Sequence, residues 1–298
     1  MSTPPPDFKR IVVGLPHSSS DYAGVEAIAD FAERLRLSVL GAFLEDAGLR
    51  HLGALPCVRE YQPLGRGWQP IESAGLGQML DSAAESARRL FMQAVGGRDV
   101  DASFAVMRGP PAKVIDALTG PTDIVGVVGP QHPADGITAQ FNALYDAALA
   151  AACAVMIAPG KLGSGRGGAV LAAVSGPEDP SLSAALAVAA AVNEPRVTLI
   201  TSGGPMSSPL VEQARSSSVE VTEIPARWTT MDAGSFSAIV GRARGRLLVI
   251  TRGILDRATL RRIVSAAGLP LLLVEPFGTA AISPAAPAPS GAAIDTKR

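Results

Sequence analysis

Two pairs of segments decide the fold: DIVGVVGP (123–130) followed by AVMIAPG (154–160), and RLLVITRG (246–253) followed by PLLLVEPFG (270–278). Each segment is a near-continuous run of Val, Ile, Leu and Ala that stops at Gly or Pro. Each pair is separated by one helix-length stretch. Such runs suit strands of a parallel sheet, which are buried on both faces and therefore do not alternate apolar with polar residues. The same ending occurs twice, so the chain reads as an internal duplication.

Working outward, each half gives the same order of elements. The first opens with RIVVGL (10–15) and passes into a helix with Val25, Ile28, Phe31, Ala32 and Leu35 on one face, capped by Ser20 or Asp21. SVLGAFL (38–44), a helix over about 78–95, ASFAVM (102–107), a short helix PAKVIDAL (111–118), DIVGVVG, a helix over 141–152 and AVMIAP complete it. The second half runs through AVLAAVS (169–175), RVTLITS (196–202), VEVTEIP (219–225), RLLVITRG and PLLLVEP, with helices over 181–192, 209–215, around Phe236–Ala243 and over 258–267. Strands and helices alternate throughout, which places the chain in the α/β class with helices on both faces of parallel sheets. The expected division is a disordered start (1–8), a first domain (9–160), a Gly-rich linker (161–168), a shorter second domain (169–277) and a disordered Ala/Pro-rich tail (278–298).

Composition agrees. The 298 residues suffice for two domains of roughly 100–200 each. A hydrophobic share of 47% against 18% charged residues supplies two cores. A net charge of -1 gives no basic field for nucleic acid or anionic membrane. The longest apolar run, 147–158, is short of the roughly 20 residues that span a bilayer. The opening MSTPPPDFKR has no apolar signal region, so the expected location is the cytoplasm. Cys57 and Cys153 lack metal or redox spacing, and Cys153, in an Ala-rich run, reads as a small core residue.

Five strands and four helices per half, the opening VVGLPHSS turn and the closing AVMIAP and PLLLVEP strands resemble the universal stress protein family, over 9–159 and again over 168–276. The resemblance implies two tandem Rossmann-like domains, each a five-stranded parallel sheet of order 3-2-1-4-5, packed as an intramolecular pseudo-dimer through the fifth strands, with further homodimerisation as an option. It places a ligand crevice at the carboxyl ends of strands 1 and 4. In the first half this names Pro16, His17, Ser18, Gly129, Gln131 and His132, and in the second Ser175, Gly176, Thr251, Arg252 and Gly253. For ATP-binding members it also implies an Asp ending strand 1 and GxxGx(9)G[S/T] after strand 4, where backbone N–H groups close on phosphates. Here Pro16 and Ser175 stand at the Asp positions, and His132 replaces the second glycine. No G[S/T] opens the helix near Phe141, and the second-half connection after Gly253 is too short for the motif.

Other motifs read as structural. Gly163, Gly165 and Gly168 spell GxGxxG but precede a strand, so they read as linker rather than dinucleotide fingerprint. His17, His51 and His132 have no metal-ligand spacing, although His17 and His132 could converge at the crevice. No G-x-S-x-G elbow supports a serine nucleophile. Arg261 and Arg262 read as a solvated helix face. The long irregular insertion 45–77, with Arg59 and Trp68 as anchors, reads either as a lid or partner surface or as a cover that fills the crevice. The resulting expectation is a non-catalytic regulatory or interaction protein without cofactor or metal, acting on an unidentified protein partner. The alternatives are binding of ATP or AMP in a divergent first-half crevice, and a hydrolase or transferase on the same scaffold.

Overall fold

The computed structural model describes residues 8–15, 22–45, 48, 51, 55, 58–62, 67–70, 73–129, 138–160, 168–203, 209–216 and 219–276. The first half supplies strands β1 (Arg10–Leu15) and β2 (Ser38–Glu45), the separate pair β3 (Arg59–Gln62) and β4 (Gly67–Pro70), then β5 (Ala102–Arg108), β6 (Asp123–Val128) and β7 (Ala154–Ala158). Its helices are α1 (Tyr22–Leu35), α2 (Ser73–Val95), α3 (Pro111–Leu118) and α4 (Ala139–Ala150). The second half supplies β8 (Val170–Val174), β9 (Arg196–Thr201), β10 (Glu220–Pro225), β11 (Leu247–Thr251) and β12 (Leu271–Val274). These alternate with α5 (Pro180–Ala191), α6 (Pro209–Ser216), α7 (Ala233–Arg242) and α8 (Arg257–Ala267).

All strands but β3 and β4 join one ten-stranded sheet in the order β10-β9-β8-β11-β12-β7-β6-β1-β2-β5. Within each half the order is therefore 3-2-1-4-5 and every pairing is parallel. The single antiparallel pairing in this sheet is β12 with β7, where Leu271, Leu272 and Leu273 lie opposite Ile157, Met156 and Val155. Two fifth strands meeting head to tail give the intramolecular pseudo-dimer.

The core is organised by sheet face, not by half. One apolar layer, under α1, α2, α5 and α6, contains Ile11, Ile28, Phe91, Met156, Val170, Leu182 and Leu272. The other, under α3, α4, α7 and α8, contains Val125, Phe141, Tyr145, Leu171, Trp228, Phe236 and Leu260. Both layers run through the seam, and Cys153 is buried in the second, as expected of a small core residue.

A second tie crosses the seam on the α4 side. Arg252, one residue past β11, donates from its guanidinium to the carbonyls of Leu149 (2.8 Å), Ala151 and Cys153 (2.7 Å), and pairs with Glu275. It thereby satisfies carbonyls at the C-terminal end of α4 and places a cation on the negative end of that helix dipole. Arg261 also turns inward: it donates to Asn142 (2.8 Å), and its guanidinium carbon lies 4.5 Å from the Tyr145 ring centroid and 5.0 Å from that of Phe141. This corrects the expectation of a solvated Arg261. The partner aromatic face belongs to the other half, so a pattern within α8 alone could not reveal it. Burial pushes the Tyr145 phenol up to about 12, against the lowering effect of Arg261 and Arg257.

Two further corrections concern the insertion. It is not irregular throughout, because β3 and β4 pair as an antiparallel hairpin. The following helix begins at Ser73 rather than near Gln78. Gly75 and Gly77 weaken the helical signal of that first turn, and tertiary context overrides the propensity. Among the described residues no helix is long and apolar enough to cross a membrane.

Because Met156 is fully buried opposite Leu272 in a layer shared by both halves, Met156→Ala should cost about 2–5 kcal/mol. Urea unfolding of this variant, in a Trp68→Phe background, should still give one transition. Backbone circular dichroism and the fluorescence of buried Trp228 should coincide; two separated transitions would show that the halves melt independently.

Candidate functional site

In a sheet of order 3-2-1-4-5 the helices after strands 1 and 4 leave toward opposite faces, which opens a crevice at the carboxyl ends of those strands. In the second half this is the space between the ends of β8 and β11. Residues 179 and 180 decide its content. Asp179 caps α5 with Pro180 at the first helical position, which needs no backbone N–H there.

The Asp179 carboxylate does more than cap. One oxygen accepts from the Ser175 N–H (2.8 Å) and the Ser175 hydroxyl (2.6 Å), both just past β8. The other accepts from the Ser181 N–H (3.0 Å) and from the hydroxyl of Thr251, the last residue of β11. The Ser181 hydroxyl lies 2.7 Å from the same oxygen and 3.0 Å from the Ala173 carbonyl, so its single proton serves one or the other. Asp179 is only 7% exposed. Burial alone would push its pKa up, but the hydrogen bonds from Ser175, Thr251 and Ser181 outweigh that and hold it below the usual aspartate value.

The other face of the same strand end is filled by Trp228. Its indole is 1% exposed, donates from Nε1 to the Val174 carbonyl (3.2 Å) at the end of β8, and packs against Phe236 with ring centroids 5.8 Å apart. Trp228 sits in the connection between β10 and α7. The corresponding first-half connection, between β5 and α3, is only Gly109–Pro110 and carries no aromatic residue. Of the expected second-half residues, Ser175 and Thr251 thus converge on Asp179, whereas Arg252 turns away to the seam.

In the first half, Pro16, His17, Ser18, Gln131 and His132 lie outside the described residues, as do Ser20, Asp21 and Cys57. Gly129 is described, and its N–H donates to the Ala158 carbonyl (2.7 Å). A Cβ there would stand 3.2 Å from that same oxygen, so the close approach of β7 accounts for this glycine. Thr138 caps α4, accepting from the Phe141 N–H (3.3 Å), so a hydroxyl does stand at this helix start although the Gly-Ser/Thr pair is missing. Gln140 donates to the Leu44 carbonyl (2.9 Å), and the buried Glu45 carboxylate at the end of β2 pairs with Arg108 at 3.2 Å.

The remaining candidates separate from the crevices. Trp68 is 64% exposed and Tyr61 60%, with ring centroids 5.4 Å apart across the hairpin. Trp68 therefore fills no crevice, and Arg59 is likewise exposed. Gly168, with φ +150, packs so closely on the Arg244 carbonyl that a Cβ would lie 2.0 Å from it, and a strand follows. That glycine serves the approach of two backbones, not a dinucleotide; Gly163 and Gly165 lie outside the described residues. A cavity of about 90 Å³ lies between α1 and α5, lined by Phe31, Met156, Val188, Leu247 and Leu269, away from the second-half crevice. Among the described residues no group of His, Cys, Asp and Glu could hold a metal ion.

Sequence reasoning missed Asp179 and Trp228. Asp before Pro was a readable helix-start signal. Nothing local signalled that Thr251 would reach the same carboxylate.

No protein-family model and no curated protein matches the sequence. Solved structures do. A universal stress protein from Archaeoglobus fulgidus superposes with a TM-score of 0.60 at 12% identity, covering 89% of this chain and 96% of that one. The cytoplasmic domain of a prokaryotic cation chloride cotransporter superposes with a TM-score of 0.50 at 14% identity, covering 90% and 96%. The likeness is one of fold: a tandem, universal-stress-type pair of Rossmann-like halves, with a sequence far diverged from both.

The Asp179 network makes a pH-dependent prediction. With a depressed folded-state pKa, the unfolded chain binds the extra proton in acid, so this carboxylate contributes its full stability above the ordinary aspartate pKa of about 3.9 and loses it as pH falls through the folded value. Asp179→Asn should therefore lower the thermal midpoint at pH 7 and at pH 5 alike. The gap from the unchanged protein should narrow below about pH 4. Midpoints measured across that range check it, and a gap that widens in acid would be inconsistent.

Proposed function

We propose that this chain is a non-catalytic, universal-stress-type regulatory or interaction module of the cytoplasm, whose second half is a structural partner rather than a nucleotide-binding domain. The observation that carries this is the occupation of the second-half crevice by the chain itself, with the Asp179 carboxylate on one face and the Trp228 indole on the other. A phosphate brought there would meet a buried anion.

The same geometry disfavours hydrolysis or group transfer. Ser175 and Thr251 place their hydroxyls on Asp179, but a carboxylate held below the usual aspartate range is a weak base and does not activate an alcohol at neutral pH. For partner binding, the hairpin is the best-suited element described. Tyr61 and Trp68 present adjoining exposed aromatic faces, which combine large apolar area with polar edges.

Adenine-nucleotide binding is the competing function, and it belongs to the first half, where the β5–α3 connection has no Trp228 equivalent. Thermal midpoints with millimolar ATP, ADP and AMP separate the two. A ligand at 100 times its Kd stabilises by about 2.7 kcal/mol, which is readily seen as a midpoint shift. The expected outcome is no shift with any of the three, and a clear upward shift would overturn the scaffold function.

A further inference from the structure

We infer that Asp179 is a built-in anion: the chain's own carboxylate occupies an oxyanion cradle at the second-half crevice and keeps external small carboxylates out of it. This rests on the scaffold function proposed above and says how the second half is closed.

Three elements contribute donors. Ser175 offers its N–H and hydroxyl from the end of β8, Ser181 its N–H from the first turn of α5, and Thr251 its hydroxyl from the end of β11. A cap that serves only its own helix looks different, and two such caps are present in the same half. Asp232 accepts from Gly234 and Ser235 at the start of α7, and Asp256 accepts from Thr259 at the start of α8. Both are exposed, and neither binds a residue outside its own helix start in these contacts. Asp179 instead bridges strands 1 and 4 of its half, at the place where the fold presents ligands, and it does so out of solvent. Trp228 backs the same strand end from the opposite face. Removing the carboxylate would take away the acceptor shared by the Ser175 and Ser181 N–H groups and the Ser175 and Thr251 hydroxyls. Unsatisfied buried donors are costly, and a small carboxylate supplies the same two oxygens.

The test is chemical rescue of the full-length chain. Asp179→Ala and the unchanged protein are melted at neutral pH in sodium formate and in sodium chloride of equal ionic strength. The expected result is a lowered midpoint for Asp179→Ala in chloride, with a formate-specific rise of several degrees that the unchanged protein lacks. Asp232→Ala is the control for an open cap and should show no formate-specific rise. An equal formate response in Asp179→Ala and the unchanged protein, or an equal rescue of Asp232→Ala, would overturn the inference. If Asp179→Ala does not fold in chloride, its refolding yield in formate against chloride gives the same reading: higher yield in formate supports the cradle, and equal yield overturns it. The two proposals fail separately. A nucleotide shift in the unchanged protein would remove the scaffold function and leave the rescue standing, whereas absent rescue would remove the built-in anion alone.

Discussion

The structure depends on one antiparallel pairing. Without the contact of β7 with β12, each half would end in an open, apolar strand edge, the kind of surface that recruits other chains. The pairing converts two five-stranded sheets into one of ten strands and makes each face of that sheet a single apolar layer. Side chains follow from this. Met156 and Leu272 meet in one layer because their strands are neighbours, and α4 lies close enough to the end of β11 and to α8 for Arg252, Arg257 and Arg261 to hold it from the second half. Across the seam the arginine contacts run one way: Asn142, Tyr145 and the carbonyls of Leu149 and Ala151 belong to the first half, and Arg252 also pairs with Glu275 of its own half.

That one-sidedness recurs at the crevices. The two halves share strand order, yet the β5–α3 connection is two residues while the β10–α7 connection carries a short helical turn with Trp228. Asp179 lies buried at the other face of the same strand end, bonded to Ser175 and Thr251. The second half thus has buried side chains of its own at the ends of β8 and β11, and it turns Arg252, Arg257 and Arg261 toward α4 at the seam. The first half keeps the hairpin with Tyr61 and Trp68, and its crevice edge is bordered by the Thr138 cap, the Gln140 tie to β2 and the Glu45–Arg108 pair. The two halves share a scaffold and differ in the residues at the strand ends, not in the fold.

Most of the fold was legible in the sequence because buried parallel strands leave a strong signal. VVGL, IVGVV, LLVI and LLLV need no neighbours to be recognised, and small-residue helices between them follow by spacing. The start of α2 was obscured by Gly75 and Gly77, whose low helix propensity is overridden by packing. The hairpin in the insertion was obscured because four-residue strands give too short a pattern to stand out. The site was much less legible. The Asp179 cap is local and readable, but its partner Thr251 lies 72 residues away, and Trp228 sits in the polar run RWTT with no periodicity to mark it as buried. Arg261 is illegible for the same reason: a charge on an otherwise ordinary helix face gives no hint of an aromatic face arriving from the other half of the chain.

Covalent fusion of the halves changes what mutation can do. In a protein built from two identical subunits, any substitution appears at both copies of a site, so a ligand position cannot be plugged in one without being plugged in the other. Here a Trp at 228 alters one crevice, while the corresponding Gly109–Pro110 connection of the other half carries no aromatic residue. The β7–β12 seam keeps the geometry of a symmetric pair while the joined chain frees each side to drift on its own. One side can then become rigid support, and the other can explore new surfaces such as the hairpin without risking the shared core.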